Sequence, residues 1–266
     1  MSLTPQLLSY SLGESVTAFS TMRQGGVSQG NYAEFNINYY CGDNVADIET
    51  NRQSLCHLLG IDERHLVYPH QVHGIEVRQI GEDFPILPAS TKQQLLEGVD
   101  AVMTNVAGIC IGVSTADCIP ILLFDERNHA CCAVHAGWRG TVQRVVQHAI
   151  HAMQVAYQTM PSDIKAVIGP GISLVNFEVG DEVYEQFAKA GFPMDIIARR
   201  YKKWHIDLWE CNRIQLTDLG ISPQNITISG ICTYAETHRF FSARRLGINS
   251  GRIFTGIMML GNKEST

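Results

Sequence analysis

A mixed α/β architecture, interleaved or segregated as α+β, is the fold class this sequence predicts. Three observations point to it. Short apolar runs of strand length alternate with longer segments of helical period along the whole chain. Residues 101–135 pack four strand-like runs into one dense block. Glycine and proline stand at most of the joints between runs. No internal repeat, low-complexity segment or linker interrupts the pattern, so a single domain over 1–266 is expected.

The elements follow in order. Residues 16–22 alternate loosely and read as a strand, and the glycine-rich stretch 23–30 as a loop. Asp47–Leu59 carries Ile48, Leu55, Leu58 and Leu59 at helical spacing, with Gly60 as its stop. Residues 66–80 read as two strands broken around Pro69 and Gly74, and the polar stretch 81–98 as an irregular loop. Strands are expected at 101–104, 108–114, 121–124 and 130–135, the last nearly all apolar and therefore buried on both faces. Gly137 and Gly140 turn the chain into a helix over 141–157, with Val142, Val145, Val146, Ala149 and Met153 on one face. A strand at 164–168, a turn at 169–171 and helices at 181–190 and 206–219 follow. A strand at 226–231, a basic aromatic segment at 240–252 and a last strand near 253–260 close the chain.

Charge and composition exclude several classes. The formal net charge is −6, and no stripe of Lys and Arg suits nucleic acid. No apolar run is long enough to span a bilayer, and the first residues lack the basic and apolar regions of a secretory leader, so a cytoplasmic protein is expected. Of the eight cysteines, Cys110, Cys131, Cys132 and Cys232 sit in apolar runs. They read as reduced, buried small hydrophobes rather than disulfide partners.

Three segments place a metal-competent side chain at a strand end beside glycine or proline. They are Gln71-Val72-His73-Gly74, Ala116-Asp117-Cys118-Ile119-Pro120 and His135-Ala136-Gly137-Trp138-Arg139-Gly140. Two imidazoles and a thiolate suit zinc, and three protein ligands leave a fourth position open, as catalytic sites do. Ten histidines and eight cysteines nevertheless let some triple be chosen in any case, and no close-spaced pair anchors this one. The residues alone therefore leave His73, Cys118 and His135 open between a metal shell and hydrogen-bonded core groups. Arginine is the second signal. Arg139 opens a predicted helix, Arg23 lies in the glycine-rich loop, and Arg239, Arg244, Arg245 and Arg252 crowd the last fifth of the chain. Such groups either grip phosphate through bidentate contacts or are plain surface charge.

Gly25-Gly26-Val27-Ser28, Gln71-Val72-His73-Gly74, Thr115-Ala116-Asp117-Cys118-Ile119-Pro120, His135-Ala136-Gly137-Trp138-Arg139-Gly140, Ile168-Gly169-Pro170-Gly171-Ile172, Cys232-Thr233-Tyr234 and Phe240-Phe241-Ser242-Ala243-Arg244-Arg245 occur in one order. In that order they resemble the YfiH-type, or laccase-domain, purine nucleoside phosphorylases over nearly the whole chain, 17–260. The resemblance implies a layered αββα-type sandwich and zinc on His73, Cys118 and His135. It also implies phosphorolysis of adenosine, inosine, guanosine and methylthioadenosine, with deamination of adenosine. Gly171 and Ala243 depart from that pattern, where Ala and Tyr are usual.

On this footing Arg23, Arg139, Arg244 and Arg245 are the expected phosphate contacts, Gln71 a substrate contact and Asp117 a proton carrier or a ligand-orienting acceptor. Two rival chemistries use the same side chains. A cysteine hydrolase or amidase would take Cys118 as nucleophile and His135 as base. A polyphenol oxidase would place copper on the trio, but a multinuclear copper cluster calls for His-x-His pairs, and none occurs here.

Overall fold

A computed structural model describes residues 4–261; the ends of the expected domain, 1–3 and 262–266, lie outside the described residues. Strands β1 (Leu7–Tyr10) and β2 (Val16–Thr21) pair as an antiparallel hairpin. Helix α1 (Val45–Leu59) starts where the Asn44 side chain accepts from the backbone N–H groups of Ala46 and Asp47. It ends at Gly60, whose φ of +68° is the left-handed cap that favours glycine. Then come β3 (Leu66–Val67), β4 (Val77–Gln79), α2 (Ala89–Leu96), β5 (Ala101–Thr104), β6 (Cys110–Thr115), β7 (Ile119–Asp125) and β8 (Ala130–Ala136). The remainder comprises α3 (Trp138–Val142), α4 (Val145–Tyr157), β9 (Ile164–Ile168), β10 (Glu178–Val179), α5 (Asp181–Lys189) and α6 (Met194–Ile197). After these come β11 (Ala198–Arg200), β12 (Trp204–Ile206), α7 (Leu208–Asp218), β13 (Ile226–Ile228), α8 (Ala243–Leu246) and β14 (Ile253–Met259).

Two mixed sheets carry the molecule. One runs β1-β2-β14-β6-β3 and the other β13-β9-β7-β8-β5-β4, with a small β10-β12-β11 sheet beside them. Strand alternation sorts the side chains into layers. On the six-stranded sheet, Ile121, Leu123, Cys132 and Val134 face helices α4 and α7, among Val146, Ile150 and Leu216. The intervening Leu122, Phe124, Cys131 and Ala133 face the five-stranded sheet, against Ile111, Val113 and Ile257. The far side of that second sheet, through Phe19, Cys110 and Phe254, meets Leu55 and Cys56 of α1. The order is helix, sheet, sheet, helix, which is the αββα sandwich expected. β7 and β8 are buried along their whole length because each is covered on both faces.

Departures from the expected elements have local causes. The stretch 81–98 contains helix α2, which has no buried residue and so no apolar face to betray it. The helix expected over 141–157 is divided into α3 and α4 by Arg144, whose φ is +66°. Its guanidinium stands 3.7 Å from the Phe192 ring centroid and donates to the Ala190 carbonyl, contacts that hold the break. The segment 206–219 opens as the end of β12 before α7 begins, and the strand expected over 226–231 stops at Ile228.

Candidate metal centre

Strand register builds the floor of the site. β5 and β8 are antiparallel, with Ala101 opposite Val134 and Val102 opposite Ala133. Extending that register by one step sets Asp100 opposite His135, and the His135 N–H donates to the Asp100 carbonyl at 2.8 Å. Both side chains share the parity of Val102 and Ala133, so they face the same way and meet, Nδ1 to Oδ1, at 2.7 Å. β7 is the other neighbour of β8, with Pro120 opposite His135. Cys118, two residues before Pro120, keeps that strand's parity and arrives on the same side.

His73 comes from a loop, and Asp100 shapes that loop too. Its carboxylate accepts from the backbone N–H groups of Val72 (3.2 Å), His73 (3.0 Å) and Gly74 (2.6 Å). His73 sits at φ +63°, a conformation that costs a residue with a Cβ about 1 kcal/mol or more and is held here by those bonds. One fully buried carboxylate thus sets the ring of one histidine and the backbone of the other. It was not among the candidate residues of the sequence. Its signal was an acid one position before a strand, with inward parity.

The histidine and cysteine donor atoms of His73, Cys118 and His135 lie within 4.8 Å of one another. The two imidazoles meet edge to face with centroids 4.8 Å apart. The neighbouring Gly137 leaves the space between them free. A Cβ there would stand 2.8 Å from His73 Cδ2 and 3.0 Å from the Cys118 sulfur. His135 is tied through Nδ1, which leaves Nε2 toward the thiol, the arrangement in which a carboxylate orients a metal-binding histidine. A two-nitrogen, one-sulfur set of this span fits a single zinc or copper ion.

The electrostatics agree. Burial opposes ionisation of the Cys118 thiol, but the His135 ring and hydrogen bonds from both histidines outweigh it and bring the thiol down to about 6. Burial opposes the His135 cation, and the Cys118 sulfur and Asp100 outweigh it, raising the ring to about 9. Asp100 itself is lowered: burial works against the charge, and the His135 bond and the backbone donors prevail. Four of the other cysteines differ. Burial pushes the thiols of Cys110, Cys131, Cys132 and Cys211 up, with no partner of this kind.

A cavity of about 240 Å³ opens above the trio. Asn38, Tyr40, Gln71, Ser114, Ala243 and Arg252 are among its walls. Gln71 spends its amide on Ser114, donating to the carbonyl at 2.8 Å and accepting from the N–H at 2.7 Å. Tyr40 stacks on His70 with centroids 4.1 Å apart, and His70 pairs with Glu97 at 2.8 Å. Ala243 occupies a wall position, so the absence of a larger side chain there leaves that wall open.

The remaining candidate residues do not line this cavity. Asp117, at φ +86°, accepts from the Thr233 hydroxyl at 2.8 Å and from the Arg244 N–H at 2.6 Å, so both its oxygens are engaged. Arg23 donates to the carbonyls of Ala33 and Thr237 and lies over Phe241. Arg244 reaches the Glu178 carbonyl and Arg245 the Tyr234 carbonyl, both exposed. Arg139 is exposed on α3 and lies over its neighbour Trp138, 4.3 Å from the ring centroid.

Fold and floor together define an α/β protein with a buried, acid-oriented His-Cys-His centre beneath a small cavity. The family described as multi-copper polyphenol oxidoreductase laccase matches residues 17–260. The chain is 44% identical over 256 residues to a purine nucleoside phosphorylase of Bacteroides thetaiotaomicron, covering 95% of this chain and 94% of that one. It is likewise 44% identical over 247 residues to adenosine deaminase RL5 from an unknown prokaryotic organism, covering 92% and 94%. The crystal structure of the Bacillus licheniformis hypothetical protein YfiH superposes with a TM-score of 0.88 at 25% identity, covering 96% of this chain and 97% of that one. The chain belongs to this YfiH-type, laccase-domain family.

Proposed function

We propose that the protein is a zinc-dependent purine nucleoside phosphorylase that takes adenosine, inosine, guanosine and methylthioadenosine and also deaminates adenosine. The observation that carries this reading is the meeting of His73, Cys118 and His135 at the floor of one cavity. They meet in a chain 44% identical almost end to end to a protein named purine nucleoside phosphorylase. In phosphorolysis a phosphate oxygen bonds to C1′ of the ribose as the C1′–N9 bond breaks. The bonding pair leaves with the purine, which then takes up a proton, giving ribose 1-phosphate and free base. His73, Cys118 and His135 would hold the ion, which when bound supplies a Lewis acid facing the cavity. Asp100 keeps the His135 ring in place, and the cavity walls exclude bulk water and hold the nucleoside. The need to keep Cys118 reduced for ligation supports a cytoplasmic setting.

A second reading is favoured by one specific contact set. Cys118, His135 and Asp100 are also arranged as nucleophile, base and orienting acid, the geometry of a cysteine hydrolase or amidase. A copper oxidase draws less support, since His73, Cys118 and His135 are the one group of this kind among the described residues.

One experiment separates them. Purified protein is analysed for bound metals, and purine release is followed with and without inorganic phosphate. About one zinc per chain and phosphate-dependent release are expected. His135→Ala should lose both metal and turnover, by at least about 100-fold in rate. Metal-free protein that hydrolyses amides, or a metal-free variant with full phosphorolysis, would overturn the zinc reading.

A further inference from the structure

The arginines named from the sequence as phosphate contacts leave the cavity without a cation of their own, and a different one stands in its wall. Arg252, at the entry of β14, lines the cavity with Cys118 and His135. Its backbone is fixed by donation from its N–H to Asn36 Oδ1 at 3.0 Å. Its side chain is fixed by three main-chain carbonyls: Nη1 donates to Ser250 at 2.5 Å and Gly251 at 3.1 Å, and Nη2 to Ile248 at 2.9 Å.

A guanidinium has five N–H donors. Three are used here, and all on neutral acceptors. The Nε–H and one hydrogen on Nη2 have no hydrogen-bond partner among the described residues. Nε and Nη2 border one edge of the planar fork, the kind of edge that grips two oxygens of an oxyanion at once. Arg252 also forms no ion pair with a described carboxylate, unlike Arg64, Arg213 and Arg239. It is therefore a rigid and uncompensated positive charge in a chain of net charge −6.

We infer that Arg252 is the residue that binds the phosphate nucleophile, gripping two of its oxygens through Nε and Nη2. This assignment rests on the phosphorolytic reading above. It distinguishes Arg252 from the exposed Arg244 and Arg245, whose side chains reach the carbonyls of Glu178 and Tyr234. It also sets the geometry of specificity. The anion enters beside β14, which leaves the Tyr40 and His70 side of the cavity to the nucleoside.

The test uses the metal-loaded full chain. Arg252→Gln should raise the KM for inorganic phosphate in inosine phosphorolysis by at least about tenfold, with Arg252→Lys intermediate because a point charge replaces a fork. Bound metal should stay at the wild-type level. Adenosine deamination, which consumes water and no phosphate, should change less than about threefold. An unchanged phosphate KM, or deamination falling in step with phosphorolysis, would overturn the assignment. A second measurement needs no variant. Wild-type protein is treated with phenylglyoxal and mapped by mass spectrometry, with and without inorganic phosphate. Phosphate should protect Arg252 and leave Arg244 and Arg245 reactive; equal modification of Arg252 in both samples would reject the site. If the wild-type protein releases no purine while phosphate still protects Arg252, the anion site stands and the phosphorylase reading falls.

Discussion

The two halves of the cavity are built by different means, and each hangs on one buried aspartate. On the sheet side, Asp100 joins a strand end to a loop and fixes His135 and His73 directly. On the loop side, Asp117 joins the Thr233 hydroxyl to the Arg244 N–H and so fastens the segment that leads to Arg252. The first carboxylate orients groups that would touch the ion. The second orients only chain. Residues of one type, both buried and both fully hydrogen-bonded, therefore belong to different steps: one to metal affinity, the other to the shape of the anion-facing wall.

Asp100→Asn breaks the sheet side and should have the largest effect. An amide presents an NH₂ group to donors on one of its two sides, either to Val72 and Gly74 or to His73 and the His135 ring. Either orientation sets N–H against N–H in a buried place. Metal affinity should fall about 10–100-fold, as it does when a carboxylate behind a histidine ligand is lost. Competition with a zinc chelator reads this directly. An unchanged zinc affinity would mean that Asp100 merely stabilises the fold.

Asp117→Asn probes the loop side and should act less strongly and differently. The amide can still accept from one of its two partners, so a stability loss of about 1–3 kcal/mol is expected, with metal content unchanged. The thermal midpoint and the phosphate KM should both shift, and the pH profile of turnover should keep its form. If Asp117 carries a proton in the reaction, turnover should instead fall about 10²–10⁴-fold with one limb of the pH profile removed. The two outcomes sharpen the contrast between an orienting and a reacting acid.

The sheet side was legible in the sequence and the loop side largely was not. His73, Cys118 and His135 announce themselves as metal-competent residues at strand ends, next to glycine or proline, where a turn exposes a side chain. Strand parity, with the register of the short β7–β8 hairpin, then brings Cys118 and His135 together. Asp100 escaped because its role depends on β5 pairing with β8, a register between residues 35 apart that no local pattern encodes. Arg252 lay within a visible cluster of arginines. What separates it from Arg244 and Arg245 is which carbonyls each guanidinium meets, and loop conformation decides that. The β10-β12-β11 sheet was silent for a simpler reason, since strands of two or three residues are too short to show a period of two.

Arg139→Ala is the smallest change expected and the control for the others. The residue opens α3 beside Gly137, so by sequence it stands as close to the ligands as any arginine does. Its guanidinium nevertheless lies over Trp138 at the surface rather than in the cavity wall. An exposed stacking contact of this kind contributes about 0.5–1 kcal/mol. The variant should lose no more stability than that, keep its metal, and hold its phosphate KM within about twofold, as surface substitutions usually do. A tenfold rise in that KM would move the anion contact from the β14 wall to the α3 turn, and with it the division of the cavity between nucleoside and phosphate.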